Sequence, residues 1–289
     1  LRRSKRQISL LSLKIPQKHP CKRVFFLFLP MLYSKSFLHR SSDQWVVFVH
    51  GAGGSSSIWH KQLKDFCERH NVLVLDLRGH GKSQKVNTDT KNYSFELIAS
   101  DVIALLEQKG IQQAHFVGVS LGSIVIKSLR AQRPDLVKSM IFAGAVTKLN
   151  VRSRFILRMG RILYSFLPQM SLYQLMARIM MPRSNHKASR HLFINEAKKV
   201  MDKEFQRWFK LTARLTAYLT RINSTPETIP TLYVMGEQDH MFLNPVRVLV
   251  TQDKASELRV VPACGHVVNY EQAETFNHLA LQFISRHCA

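Results

Sequence analysis

Residues 116–122 read Phe116-Val117-Gly118-Val119-Ser120-Leu121-Gly122, "FVGVSLG", a serine between two glycines at the end of an apolar run. A strand that ends here and turns sharply into a helix forces the residue at the turn into a strained backbone. Its neighbours must then be small, and Gly118 and Gly122 meet that demand. The Ser120 hydroxyl would project above the sheet, with the opening amides of a helix starting at Leu121 aimed at the same point. The pattern G-x-S-x-G alone also suits an ordinary tight turn; a strand before it and a helix after it favour a nucleophile.

Working outward from Ser120, short β-branched runs alternate with longer amphipathic ones from Trp45 onward, as in βαβ units and a parallel sheet. Strands are expected at Trp45–Val49, Val72–Leu75, His115–Val119, Met140–Ala143, Thr231–Met235 and Leu258–Val261. Helices are expected at Ser57–Arg69, Phe95–Lys109, Leu121–Gln132, Pro245–Lys254 and Glu271–His287. Runs such as "VVFV" and "VLVL" are apolar on both faces, which suits a sheet covered on both sides. The fold class is therefore α/β, a mostly parallel sheet flanked by helices. Between about Thr147 and Arg221 only helical periodicity remains. Such an insertion must lie outside the sheet, and its natural place is over the carboxyl ends of the strands, where open α/β sheets bind ligands. The expected organisation is a core of residues 31–146 and 222–289 carrying a helical lid at 147–221.

A serine nucleophile needs a base, and the base needs an orienting acid. Among the 13 histidines, His266 follows the last strand and precedes the last helix, in "ACGHVVNYEQAETF". The order serine, acid, histidine is the one this topology requires. The acid then falls after the preceding strand, where "TLYVMGEQDH" offers Asp239; Glu237, nearer the strand, reads as structural. An oxyanion needs donors that exist before reaction. "FVHGAGGSS" follows the first expected strand, and the amides of Ala52 and Leu121 are the expected pair, with Gly53 the alternative to Ala52. The chain has neither G-x-x-x-x-G-K-[ST] nor G-x-G-x-x-G, so no nucleotide site is expected.

The ordered set "HGAGGSSSIW", "DLRGHGKS", "GVSLG", "GEQD" and "GHVVNYEQAETFNHLALQFI" closely resembles the α/β-hydrolase fold superfamily, in particular its lidded branch of esterases and C–C bond hydrolases. The resemblance covers roughly residues 43–146 and 226–287. It implies a catalytic triad of Ser120, Asp239 and His266 and an oxyanion hole of Ala52 and Leu121. It also implies structural roles for Asp76, Arg78 and Gly79, a packing or supporting role for His80, and a role for His50 in shaping the oxyanion loop. Two departures stand out. Gln272-Ala273 occupies a position where relatives often have proline, and the early antiparallel strands are barely represented between Met31 and Trp45.

The net charge of +23 divides unevenly over the 289 residues. Residues 1–40 hold 10 basic residues and no acid, residues 147–221 hold 16 against 3, and the remainder holds 16 against 16. A neutral body without a recognised binding motif argues against a nucleic-acid partner. The basic opening stretch precedes the apolar run "VFFLFLPML", whose uninterrupted part, Val24–Leu29, is shorter than a secretory h-region and far shorter than a membrane helix. Met31 is the expected physiological start, with residues 1–30 an upstream extension; the alternative is a real basic segment that is disordered or touches anionic lipid. Cys21, Cys67, Cys264 and Cys288 show no metal or disulfide spacing, which fits reduced thiols in the cytoplasm. Neither cofactor nor metal is expected.

The leading functional expectation is a serine hydrolase cleaving a carboxylic ester, or a related acyl bond, of a small to medium molecule. Two alternatives stay open: a C–C hydrolase or lyase that holds an anionic substrate under the basic lid, and a peripheral membrane binder or lipid esterase that docks through it.

Overall fold

The apolar runs pair into one seven-stranded sheet. In a computed structural model of the chain, residues 31–86 and 92–288 are described; the basic extension at 1–30 lies outside them. The strands are β1 (Ser34–Phe37), β2 (Trp45–Val49), β3 (Asn71–Leu75), β4 (Ala114–Val119), β5 (Val137–Ala143), β6 (Thr231–Gly236) and β7 (Ser256–Val261), in spatial order β1-β3-β2-β4-β5-β6-β7. Pairs from β3 to β7 are parallel, and β1 closes one edge antiparallel to β3, with Ser34 opposite Leu75.

The β1 strand is absent from the sequence reading, and its composition explains why. Ser34-Lys35-Ser36-Phe37 is short, polar and half-buried to exposed, so an edge strand of this kind has no apolar alternation to announce it. The five inner strands are legible because burial on both faces leaves continuous apolar runs. Alternate residues of β2 serve opposite cores: Val47 and Val49 pack with Ile98, Val102 and Ile124 on one face, while Val46 and Phe48 pack with Trp59, Phe66 and Phe276 on the other.

Helices α1 (His60–Cys67), α2 (Phe95–Gln108) and α3 (Leu121–Gln132) connect the first strands. Between β5 and β6 lie α4 (Val151–Leu163), α5 (Gln169–Met180), α6 (Lys187–Ala197), α7 (Asp202–Leu211) and α8 (Leu215–Ile222). Helix α9 (Leu243–Gln252) precedes β7, and α10 (Val268–Glu271) and α11 (Ala273–Ser285) end the described chain. The single last helix expected from Glu271 is thus two. Gln272 adopts φ −129° and ψ 57°, which breaks the helix at the position where relatives often carry proline.

The insertion is fastened to the core by buried polar contacts. Trp208 Nε1 donates to the Arg78 carbonyl at 3.0 Å, and Tyr93 Oη donates to Glu204 at 2.5 Å. Tyr173 Oη donates to the Ala52 carbonyl at 3.0 Å, and Ser55 Oγ donates to Glu196 at 2.6 Å. Among the described residues, no helix is long and apolar enough to cross a membrane.

Candidate active site

Ser120 occupies the turn between β4 and α3 with φ 53° and ψ −118°, a region that L-residues avoid unless surrounding structure enforces it. The enforcement comes from close packing around the turn. A Cβ at Gly122 would collide with the Val49 and His50 carbonyls, and one at Gly118 would lie 2.6 Å from Ile126 Cδ1. Gly51 brings the glycine-rich loop close as well: a Cβ there would stand 3.2 Å from Ser120 Cβ. The Ser120 amide is held by the Ala143 carbonyl at 3.0 Å, and its own carbonyl accepts from Ser123 Oγ at 2.6 Å.

His266 and Asp239 reach this turn from β7 and β6. His266 Nε2 stands 2.9 Å from Ser120 Oγ, and Nδ1 stands 2.7 Å from Asp239 Oδ2. The carboxylate claims the proton on Nδ1, so Nε2 is bare toward the serine hydroxyl. The other oxygen, Asp239 Oδ1, accepts from the Met241 and Phe242 amides at 3.2 and 3.1 Å. Both side chains are buried. Glu237, by contrast, is exposed and accepts from the Ala263 amide at 3.1 Å, which holds the turn that precedes His266.

The histidine loop is positioned by residues that the sequence gives little reason to single out. Glu271 Oε2 accepts from the Gly265 amide at 2.6 Å, and Oε1 accepts from Ser189 Oγ at 2.7 Å. Gly144, at φ 55°, lets the end of β5 approach so closely that a Cβ would strike the His266 carbonyl. Neighbouring Cys264 is buried, and burial followed by the charge of Glu271 pushes its thiol pKa well up, which keeps it a neutral packing group.

Two buried histidines shape the glycine-rich loop. His50 Nε2 accepts from the Leu77 amide at 2.9 Å, so Nδ1 carries the proton and donates to the Gly51 carbonyl at 2.8 Å. His80 repeats the arrangement: Nε2 accepts from the Gly53 amide at 3.0 Å, and Nδ1 donates to the Arg78 carbonyl at 3.1 Å. Burial lowers both pKa values, that of His80 to about 3 with His50 as the next cause. Both rings are therefore neutral at pH 7. The engaged Gly53 amide leaves those of Ala52 and Leu121 without an acceptor among the described residues.

Two adjoining spaces lie beside this point. A small one of about 40 Å³ touches Ser120, His266, Ile58 and Glu196. A larger one of about 170 Å³ runs beneath the inserted helices past Leu121, Leu157, Met176, Phe205 and Trp208. Ala52, Gly53 and Phe193 border both. No lysine or arginine lines either space. Every basic residue of 147–221 except Arg190 and Arg207 is exposed on the outside.

A model of the alpha/beta hydrolase family matches residues 46–279. Over 268 residues the chain is 23% identical to the 2-hydroxy-6-oxononadienedioate/2-hydroxy-6-oxononatrienedioate hydrolase of a Pseudomonas species, covering 85% of this chain and 89% of that one. It is 26% identical over 245 residues to 3-oxoadipate enol-lactonase 2 of Acinetobacter baylyi, covering 81% and 85%. A thermophilic esterase from Thermogutta terrifontis superposes with a TM-score of 0.70 at 18% identity, covering 89% of this chain and 94% of that one.

Proposed function

The chain belongs to the alpha/beta hydrolase family, and from that premise we propose that it hydrolyses an uncharged, lipophilic carboxylic ester through an acyl-enzyme on Ser120. The observation that carries the reading is the unbroken relay from Asp239 through His266 to Ser120, with spacings of 2.7 and 2.9 Å, opening on an apolar cavity.

In this reading His266 Nε2 takes the Ser120 proton as Oγ attacks the ester carbonyl, and Asp239 stabilises the resulting imidazolium without accepting its proton. The oxyanion rests on the Ala52 and Leu121 amides, each contributing on the order of 10²–10³ in turnover. His266 then protonates the departing alkoxide. Water, deprotonated by the same nitrogen, attacks the acyl carbon and releases the acid and free Ser120.

The insertion at 147–221 acts as the lid and supplies the walls of the acyl site. Of the relatives named above, the Pseudomonas hydrolase acts by its name on a dioate and the Acinetobacter enzyme on an enol-lactone of 3-oxoadipate, and a carboxylate held in such a cavity needs a cation. The lining here offers Leu157, Met176, Phe205 and Trp208 instead, with Glu196 as its charged side chain. That favours a neutral ester over an anionic substrate cleaved at a C–C bond.

The test is hydrolysis of p-nitrophenyl esters from acetate to long acyl chains by the wild type and Ser120→Ala. Turnover that peaks at an intermediate acyl length and vanishes in the variant is expected. Turnover that survives Ser120→Ala, or a wild type inactive on the whole series, would overturn the proposal.

A further inference from the structure

The outer face of α4 carries a stripe that the fold leaves uncovered. Val151, Phe155, Met159 and Ile162 follow the spacing i, i+4, i+8, i+11, and at about 100° per residue they fall within an arc of about 80°. Phe166 extends the stripe in the turn that follows. All are exposed, Phe155 at 63% and Phe166 at 78%. Globular surfaces scatter single apolar residues, but a contiguous aligned set marks a surface that docks on something.

The surrounding charge says what that is. Arg154, Arg158 and Arg161 border one side of the stripe and Arg152 the other, and all four are exposed. No acidic residue occurs between Asp135 and Glu196. A face for another protein or a second copy of this chain would need acidic partners, and a face of this composition repels its own copy. An apolar stripe flanked by arginines matches a surface with a hydrocarbon interior and anionic headgroups. The inner side of the same helix presents Leu157 to the larger cavity.

We infer that the outer face of α4 docks on an anionic lipid bilayer, with Phe155 and Phe166 entering the acyl boundary and the arginines lying among the headgroups. Docking in this way sets the helix that lines the larger cavity through Leu157 against a reservoir of lipophilic esters. The binding itself does not depend on Ser120 being the nucleophile.

The experiment is co-sedimentation of the full chain with phosphatidylcholine vesicles containing or lacking phosphatidylglycerol, beside hydrolysis of a short soluble ester. The wild type is expected to partition onto the anionic vesicles, weakly onto the neutral ones, and less as salt rises. Phe155→Ser with Phe166→Ser should reduce partition at least tenfold. Arg154→Gln, Arg158→Gln and Arg161→Gln should each reduce it about fivefold. Val248→Ser, which removes an exposed apolar side chain on α9, should change nothing. Soluble-ester turnover that persists in these variants reports an intact fold. Absence of wild-type binding, equal binding to neutral vesicles, or binding that survives the α4 substitutions and so belongs to another basic segment would each overturn the inference. So would a self-associating wild type whose dimer, rather than vesicle binding, is lost in the aromatic variant.

Discussion

The Gly53 amide donates to Nε2 of His80 at 3.0 Å, across 27 residues of sequence, and is therefore engaged. In the proposed mechanism this bond fixes the loop and leaves the neighbouring Ala52 amide as the oxyanion donor. His80→Ala should therefore lower kcat about tenfold to a hundredfold with little change in KM, because a misplaced donor fails mainly in the transition state. Steady-state kinetics on a soluble p-nitrophenyl ester checks this, and a change confined to KM would speak against it.

His80 also makes stability depend on pH. Its folded-state pKa, lowered by burial and then by His50 to about 3, lies below the unfolded value of 6.5. The unfolded chain therefore binds more protons between these values. The stability from the neutral ring is complete above pH 6.5 and is lost as pH falls toward 3, by up to about 1.4 kcal/mol per pH unit. Urea midpoints measured from pH 7 to pH 4 should fall more steeply for the wild type than for His80→Asn.

Gly144 combines a positive φ with contact against the His266 backbone. Gly144→Ala should destabilise the protein by about 1–3 kcal/mol and depress turnover, since relief of the clash moves His266 away from Ser120. Thermal unfolding and kcat measured together test both parts.

Glu271 accepts from the Gly265 amide beside His266 and from Ser189 of α6. Glu271→Ala leaves a buried amide without an acceptor and should lower stability by about 1–3 kcal/mol. Turnover should fall as well, and Glu271→Gln, which keeps an acceptor oxygen, should recover most of both. Equal loss in the two variants would show that the charge, not the acceptor, matters.

The cavity walls make substrate length a property that substitution can move. Phe205→Ala should shift the best acyl chain longer, and a phenylalanine in place of Val200, which also lines the larger cavity, should shift it shorter. Each methylene gained or lost in an apolar pocket changes kcat/KM by about tenfold or more. An unchanged length profile in both variants would place the acyl chain elsewhere.

The inner strands were legible in the sequence because residues such as Val46–Val49 and Val72–Leu75 have no polar position to offer solvent. The meeting of Ser120, Asp239 and His266 was legible because each follows a strand end, and neighbouring strand ends lie side by side in a parallel sheet. Glu271, Tyr173 and Glu196 were not. Tyr173 meets Ala52 across 121 residues and Glu196 meets Ser55 across 141, and no local pattern encodes such a meeting. Edge strand β1 escaped for the opposite reason: its sequence is ordinary for a loop, and only pairing with β3 makes it a strand. The basic insertion was visible as composition, but only the fold separates its exposed arginines from its apolar lining.

The most direct test of the relay is to trap its intermediate. The wild type would be mixed with p-nitrophenyl butyrate, quenched in acid within the first turnovers, and digested for mass spectrometry. The account predicts a burst of about one p-nitrophenolate per chain and a butyryl group on Ser120, with the label lost in Ser120→Ala. A butyryl group on any other residue, or rapid turnover with neither burst nor label, would contradict it.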